Sequence, residues 1–357
     1  MKNRVKNLLL AALLIPGMVI FLLPASGHAQ RAGRPAFDAY YQALNLIEAG
    51  DLRGALAYVD TAISIKPSYS QFYVLKGQIY ELLHQPDSML AAYEKALELK
   101  SYYPELWPKV ARVYLQTQQY SKAVQYLEKA LKVYPDSTQF LLLLGQGYYR
   151  LQRCRLAENY LRKYARRVNA LPAQYWKWRG MVALCVKKYD VAISALQQAK
   201  TALADDWEVW YSLGVALFEN GQLDQGLSHL NKALQLNPQL VDVFLYRARY
   251  FRHYNKPREA LEQLYVALRM DSNAIPILLE LGKMELALGE IDSAAKHLGR
   301  VIHLNPRVWE AYRYLGKIAE TQNNVAMALQ YYTLYMKNIL YADPEIEERI
   351  RILKQKQ

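Results

Sequence analysis

Six histidines and two cysteines are the side chains of this 357-residue chain best suited to hold a metal or act as a nucleophile. Their spacing supports neither role. His28, His84, His229, His253, His297 and His303 form no His-Glu-x-x-His pair, and none stands with Cys or acidic residues at metal-ligand spacing. His297 and His303 share a helical stretch but lie six apart, on different faces. Cys154 and Cys185 make no Cys-x-x-Cys. Gly145-Gln146-Gly147 resembles a phosphate loop only superficially, because Gly145 belongs to a helical column. No P-loop or Gly-x-Ser-x-Gly is present. No catalytic, cofactor-binding or metal-binding residue is therefore expected, and the chain reads as a non-enzyme. What remains is recognition by charge. Lys and Arg number 45 against 32 Asp and Glu, a net charge of +13, which favours anionic partners. The cations stand singly among acids, without the basic run of a nucleic-acid arm.

The elements that position these charges follow from one repeat. Small residues recur every 34 positions at Ala43, Gly77, Ala111 and Gly145, then at Gly180, Gly214, Ala248, Gly282 and Gly316. The spacing slips once, to 35, between Gly145 and Gly180. Such a period means one supersecondary unit used nine times, a solenoid. The sixth unit shows its make-up. Trp210, Leu213, Gly214 and Leu217 line one face of a first helix. Gly221-Gln222 turns the chain. Leu223, Leu227, Leu230 and Leu234 line a second helix, which Asn237-Pro238 ends.

Three further columns keep the same register: a bulky residue four before the small one (Tyr73, Trp107, Trp176, Trp210), a small residue after the turn (Ala55, Ala123, Ala192, Ala260) and another later in the second helix (Ala62, Ala96, Ala130, Ala233). On these columns residues 36–342 resemble the tetratricopeptide repeat family. The resemblance implies an all-α, right-handed α–α superhelix. Its nine repeats span 36–69, 70–103, 104–137, 138–172, 173–206, 207–240, 241–274, 275–308 and 309–342. Ala and Gly mark the lines where antiparallel helices approach closely. Residues 343–357 read as a capping helix: Asp343 is its N-cap, Pro344 its first residue, and Ile346, Ile350 and Leu353 its inward stripe.

In proteins of this kind the first helix of each repeat lines a concave groove. The groove columns then hold Arg112, Leu115, Gln146, Met181 and Val215. The candidate partner contacts are Tyr149, Lys177, Tyr211 and Phe218 in an apolar and aromatic zone, followed by Arg249, Arg252, Lys283, Arg313 and Lys317 in a cationic one. Such neighbouring zones suit an extended segment with hydrophobic anchors and carboxylates, which arginine binds bidentately. The competing reading leaves these cations solvated or paired with Glu280 and Glu310. The Lys/Asn clamp of chaperone-binding members is missing, since the Asn column never holds Asn.

The departures from the repeat cluster. The fourth repeat carries an extra residue near Val168–Pro172, follows Arg166-Arg167, and has Tyr164 where a small residue is usual. Cys154 opens its second helix, and Cys185 lies near the end of the next first helix, so the two should be neighbours. Either a disulfide of about 3 kcal/mol or a pair of buried free thiols would fit.

Residues 1–29 read as a signal peptide or N-terminal anchor. Lys2, Arg4 and Lys6 precede an apolar Leu8–Leu23, and Gly27-His28-Ala29 invites cleavage after Ala29. Residues 30–35 are expected to be a short linker. The expected protein is thus an exported, periplasmic or envelope-associated scaffold. It would hold protein segments in its groove and support assembly of a secretion, pilus, outer-membrane or polysaccharide-export complex. The alternative is direct binding of an anionic polysaccharide in an exopolysaccharide export system. No nucleic acid or cofactor is expected, and membrane contact only through a retained N-terminus.

Overall fold

The computed structural model describes residues 29–355. The signal-peptide reading rests on residues 1–29, of which 1–28 lie outside the described residues. Among the described residues there are nineteen helices and no strand, and no helix is long and apolar enough to cross a membrane. The chain divides into two compact units, Met1–Val186 and Lys187–Gln357.

The first unit holds α1 (Ala29–Ala49), α2 (Leu52–Ile65), α3 (Ser70–Leu82), α4 (Pro86–Leu99), α5 (Leu106–Gln116), α6 (Tyr120–Val133), α7 (Thr138–Arg150), α8 (Cys154–Ala165) and α9 (Ala173–Cys185). The second holds α10 (Tyr189–Lys200), α11 (Trp207–Glu219), α12 (Leu223–Leu236), α13 (Asp242–His253), α14 (Pro257–Met270), α15 (Ile275–Ala287), α16 (Ile291–Leu304), α17 (Trp309–Thr321), α18 (Val325–Asn338) and α19 (Pro344–Gln355). Residues 30–35, expected as linker, are instead helical within α1, with Pro35 just before the buried Ala36. Ala36 and Ala39 bury against Ala62 and Phe72, so packing sets the helix in place there.

The small column explains the pairing of helices. Sixteen residues beyond each small residue, the second helix supplies one side chain that fills the gap. In the first unit Val59, Tyr93, Leu127 and Leu161 face Ala43, Gly77, Ala111 and Gly145 in this way, and in the second Leu230, Leu264, Leu298 and Tyr332 face Gly214, Ala248, Gly282 and Gly316. All eight fillers are buried. A Cβ on Gly77 would lie 2.4 Å from the Tyr93 ring, and one on Gly316 2.4 Å from Tyr332. Glycine is required wherever the filler comes this close, as Leu298 also does at 2.4 Å from a Cβ on Gly282.

Turns between first and second helices share one backbone device. The residue seven beyond the small column has positive φ: Gly50, His84, Gln118, Gln152, Lys187, Gly221, Asn255, Gly289 and Asn323. The next amide then reaches back five residues, as from Gln119 N to Tyr114 O (2.8 Å) and from Gln222 N to Leu217 O (2.9 Å). This left-handed cap closes the helix end.

At the extra residue of the fourth repeat, α8 and α9 are held at both ends. Tyr164 stacks on Tyr175 with ring centroids 5.6 Å apart, which is why a large residue replaces the small one. At the other end the Cα atoms of Cys154 and Cys185 lie 6.2 Å apart and their sulfurs are within bonding distance. In the second unit α19 buries Ile346 and Leu353 against α17 and α18 through Ala319, Ala328 and Tyr332. Asp343 accepts from the Ile346 amide (3.3 Å) and so caps α19. The fold is therefore an all-helical solenoid with a C-terminal capping helix.

Candidate functional site

The groove columns lie on the first helices, α5, α7 and α9 in the first unit and α11, α13, α15 and α17 in the second. Helical periodicity puts residues three and four apart on one exposed stripe, and the next first helix sets its own stripe beside it.

In the second unit the expected cations are present on this stripe, and each meets a carboxylate. Arg249 donates to Glu219 (2.6 Å). Arg252 donates to Glu280 (3.0 Å), which also takes Lys283 (2.7 Å). Lys283 reaches on to Glu310 (3.1 Å). Arg313 holds Asp343 (2.9 Å) and Glu345, and Lys317 holds Glu345 (2.7 Å). The open cationic zone is thus corrected to a ladder of ion pairs running from one first helix to the next and ending on α19. Burial alone would pull Arg249, Lys283 and Arg313 down, but the hydrogen bonds and charges of their carboxylates hold all three above their ordinary values. Burial, then the charge of Glu219, pushes the Tyr246 phenol up to about 12. Glu219, Asp343 and Glu345 were not anticipated as partners. A usable signal existed: each cation stands 27 to 32 residues from its cross-repeat carboxylate.

The aromatic zone is also less open than expected. Phe218 is only 5% exposed. It packs against Tyr246 (5.2 Å between centroids) and under the Arg249 guanidinium (5.2 Å). Met181, Val215 and Lys177 are buried as well, and the Lys177 ammonium lies over Trp178. These four are walls rather than contact points, because helices stacked side by side cover the residues nearest the small column. Tyr149 and Tyr211 remain half-buried. Tyr149 lies against Trp178 at 5.9 Å, and Tyr211 against Trp207 at 6.5 Å.

The first unit retains an open groove position. Arg112, Leu115, Gln116, Gln118, Tyr120, Leu143, Gln146 and Arg150 line a cleft of about 510 Å³ between α5 and α7. Leu115 and Leu143 are its buried floor. Gln146 and Gln116 bring amide groups to its wall. Arg112 is exposed, and no carboxylate among the described residues pairs with it. Three residues earlier on the same helix the neighbouring charge is already satisfied, since Lys109 donates to Glu81 (2.7 Å) on α3. The cleft therefore offers an apolar floor, amides able to bond a peptide backbone, and a guanidinium able to take a carboxylate. Among the described residues no group of His, Cys, Asp and Glu could hold a metal ion.

Comparison with known proteins agrees with this architecture. Residues 31–274 match the family model of the Cilia and flagella-associated protein 70 C-terminal domain, and residues 279–338 match a tetratricopeptide repeat model. BBSome complex member BBS4 of Bos taurus is 25% identical over 44% of this chain and 30% of its own length. Superkiller complex protein 3 of Mus musculus is 30% identical over 33% of this chain and 8% of its own. The chain thus spans less than a third of the length of these curated relatives. The solved APC/C hetero-tetramer Cut9-Hcn1 shares the fold, with a TM-score of 0.56 at 16% identity over 82% of this chain and 59% of that one. The chain belongs to the Cilia and flagella-associated protein 70 C-terminal domain family and is built of tetratricopeptide repeats.

Proposed function

We propose that this tetratricopeptide-repeat chain is a non-enzymatic scaffold of nine repeats that holds an extended segment of a partner protein along its first helices. The cleft between α5 and α7 carries this reading. Arg112 is a groove cation without a carboxylate of its own, above the Leu115 and Leu143 floor. A bound segment would place an acidic side chain on Arg112, an apolar one on the floor and its backbone on Gln146 and Gln116. Elsewhere on the first helices the ion-pair ladder offers bound cations and bound carboxylates in alternation, so a partner must exchange pairs to engage it. That favours specificity over affinity. The two curated relatives are named as members of multi-protein complexes, which supports an assembly role.

A photo-crosslinking residue at Gln146 tests the groove in cells. The expected result is one crosslinked protein, lost when Arg112 is changed to Glu. No crosslink, or one indifferent to Arg112→Glu, would remove the groove from the argument. The place of action follows from residues 1–29: we propose export to the cell envelope, where the partner would belong to a secretion, pilus, outer-membrane or polysaccharide-export assembly. Mass measurement of the protein from fractionated cells decides this. Loss of residues 1–29 in an envelope fraction is expected, and an intact chain in the cytoplasm would overturn it.

A further inference from the structure

A second surface lies on the other set of helices. From Lys122 to Arg167 the sequence carries ten Lys or Arg against three Asp or Glu, so much of the net charge of the chain sits in about one and a half repeats. The second helices here repeat one pattern 34 residues apart: Tyr126, Lys129 and Lys132 on α6, then Tyr160 and Lys163 on α8 with Arg166 as its C-cap. A spacing of three makes successive members of each set neighbours on the helix surface. No other repeat has this triplet.

The structure joins the two stripes into one site. Leu131, Pro135, Leu141, Tyr160, Lys163, Arg166 and Arg167 line a cleft of about 410 Å³. An adjoining cleft of about 560 Å³, sharing Leu131 and Tyr160, adds Lys129 and Lys132. Lys129, Lys132, Lys163 and Arg166 are exposed, and no carboxylate among the described residues pairs with them. Arg167 is different. It donates to the Pro135 carbonyl (3.0 Å) and stands 3.7 Å from Asp136, so it ties the end of α8 to the turn after α6 and fixes the cleft wall. The one acid of the lining, Glu128, already accepts from the Tyr148 phenol. The floor is apolar, with Leu141 buried and Leu131 half-buried.

We propose that this cleft between α6 and α8 docks an acidic peptide segment that carries an apolar side chain. The carboxylates lie on Lys129, Lys132, Lys163 and Arg166, and the apolar side chain enters between Leu131 and Leu141. The floor selects a peptide over a plain polyanion, since a polyanion has nothing to bury there. Base stacking has no platform, because Tyr160 is stacked on Tyr148 (5.4 Å, interplanar 7°) and carries Lys163 at 5.2 Å. This surface shares no lining residue with the α5–α7 groove, so one chain can hold two segments, and either site can fail without the other.

The test is fluorescence anisotropy of the full chain with a labelled poly-glutamate peptide bearing one central leucine, at physiological salt. The double variant Lys163→Glu/Arg166→Glu should weaken binding about tenfold or more, whereas Lys232→Glu/Arg269→Glu, equal in charge change and exposed on α12 and α14, should stay within about twofold. Replacing the peptide leucine by serine should weaken binding about fivefold. The thermal melting temperature of the Lys163→Glu/Arg166→Glu variant should stay within a few degrees of the parent's, which shows that the variant is folded. Equal loss in both double variants would reduce the effect to bulk charge and overturn the site. Indifference to the leucine, or binding of heparin oligosaccharide or phosphatidylglycerol vesicles where the peptide fails, would overturn the peptide assignment.

Discussion

The Tyr93 phenol donates to Glu81 across the α3–α4 hairpin at 2.8 Å, and its ring lies where a side chain on Gly77 would have to stand. Gly316, Glu320 and Tyr332 repeat this relation in the second unit, with the Tyr332 phenol 3.1 Å from Glu320. In both, the carboxylate has a second partner that is a cation, Lys109 on Glu81 and Arg349 on Glu320. One sequence device thus links close helix packing to the polar groove edge. The ring needs glycine beneath it, and the buried phenol needs the glutamate.

Gly77→Ala should therefore destabilise the protein by about 1–3 kcal/mol, since the new methyl meets the flat of a buried ring. Combining it with Tyr93→Leu should recover part of that loss, because Leu127 already fills the same place opposite Ala111. Urea unfolding of the single and double variants measures both. A double variant no better than the sum of its parts would show that the ring is not what excludes the methyl.

Non-glycine residues at positive φ mark sites open to improvement. Gln118 and Gln152 hold φ of 59° and 58° in turns where Gly221 and Gly289 do the same work. Gln118→Gly and Gln152→Gly should each raise stability by up to about 1 kcal/mol, and Gly221→Ala should lower it by about as much. Thermal melting of the three variants gives the comparison.

The capping helix should respond to acid. Burial opposes the ionised form of Asp343, but Arg313, the Ile346 amide and Tyr335 outweigh it and hold the carboxyl below its ordinary value. The Lys317 hydrogen bond, then Arg313, draws Glu345 down as well. Groups with depressed folded values contribute stability above their unfolded pKa, near 4, and lose it as pH falls through the folded value. Amide exchange over residues 344–355 should accelerate as pH drops below about 4, after correction for intrinsic rates. Arg313→Gln should weaken that dependence, and Arg313→Gln/Lys317→Gln should weaken it further.

Oxidation of Cys154 and Cys185 closes a loop of 31 residues and should contribute about 3 kcal/mol. The melting temperature of the parent should fall on reduction, while that of Cys154→Ser/Cys185→Ser should not. Non-reducing peptide mapping identifies the linkage directly.

How far the sequence alone reached depended on periodicity. A side chain that must be small, a turn that must cap a helix and an apolar stripe every third and fourth residue leave marks at fixed spacing. The helix pairs, the small columns and the capping helix at Pro344 could be read from those marks before any coordinates. The fillers sixteen residues beyond each small residue were hidden, because Val, Leu and Tyr look like ordinary core until one asks which glycine lies beneath them. Charges leave a fainter mark, a cation and an acid somewhat less than a repeat apart. Arg249, Lys283 and Lys317 read as an open cationic stripe along the chain. Only the packing of neighbouring helices, with side-chain oxygens and nitrogens 2.6 to 3.1 Å apart, showed that Glu219, Glu310 and Glu345 are held on them. Phe218 and Met181 became walls for the same reason. The sequence by itself determined the repeating local geometry, which is short-ranged and periodic. The tertiary structure decided which cations, Arg112 and the Lys163–Arg166 stripe among them, were left for a partner, because that depends on distances between residues a whole repeat apart.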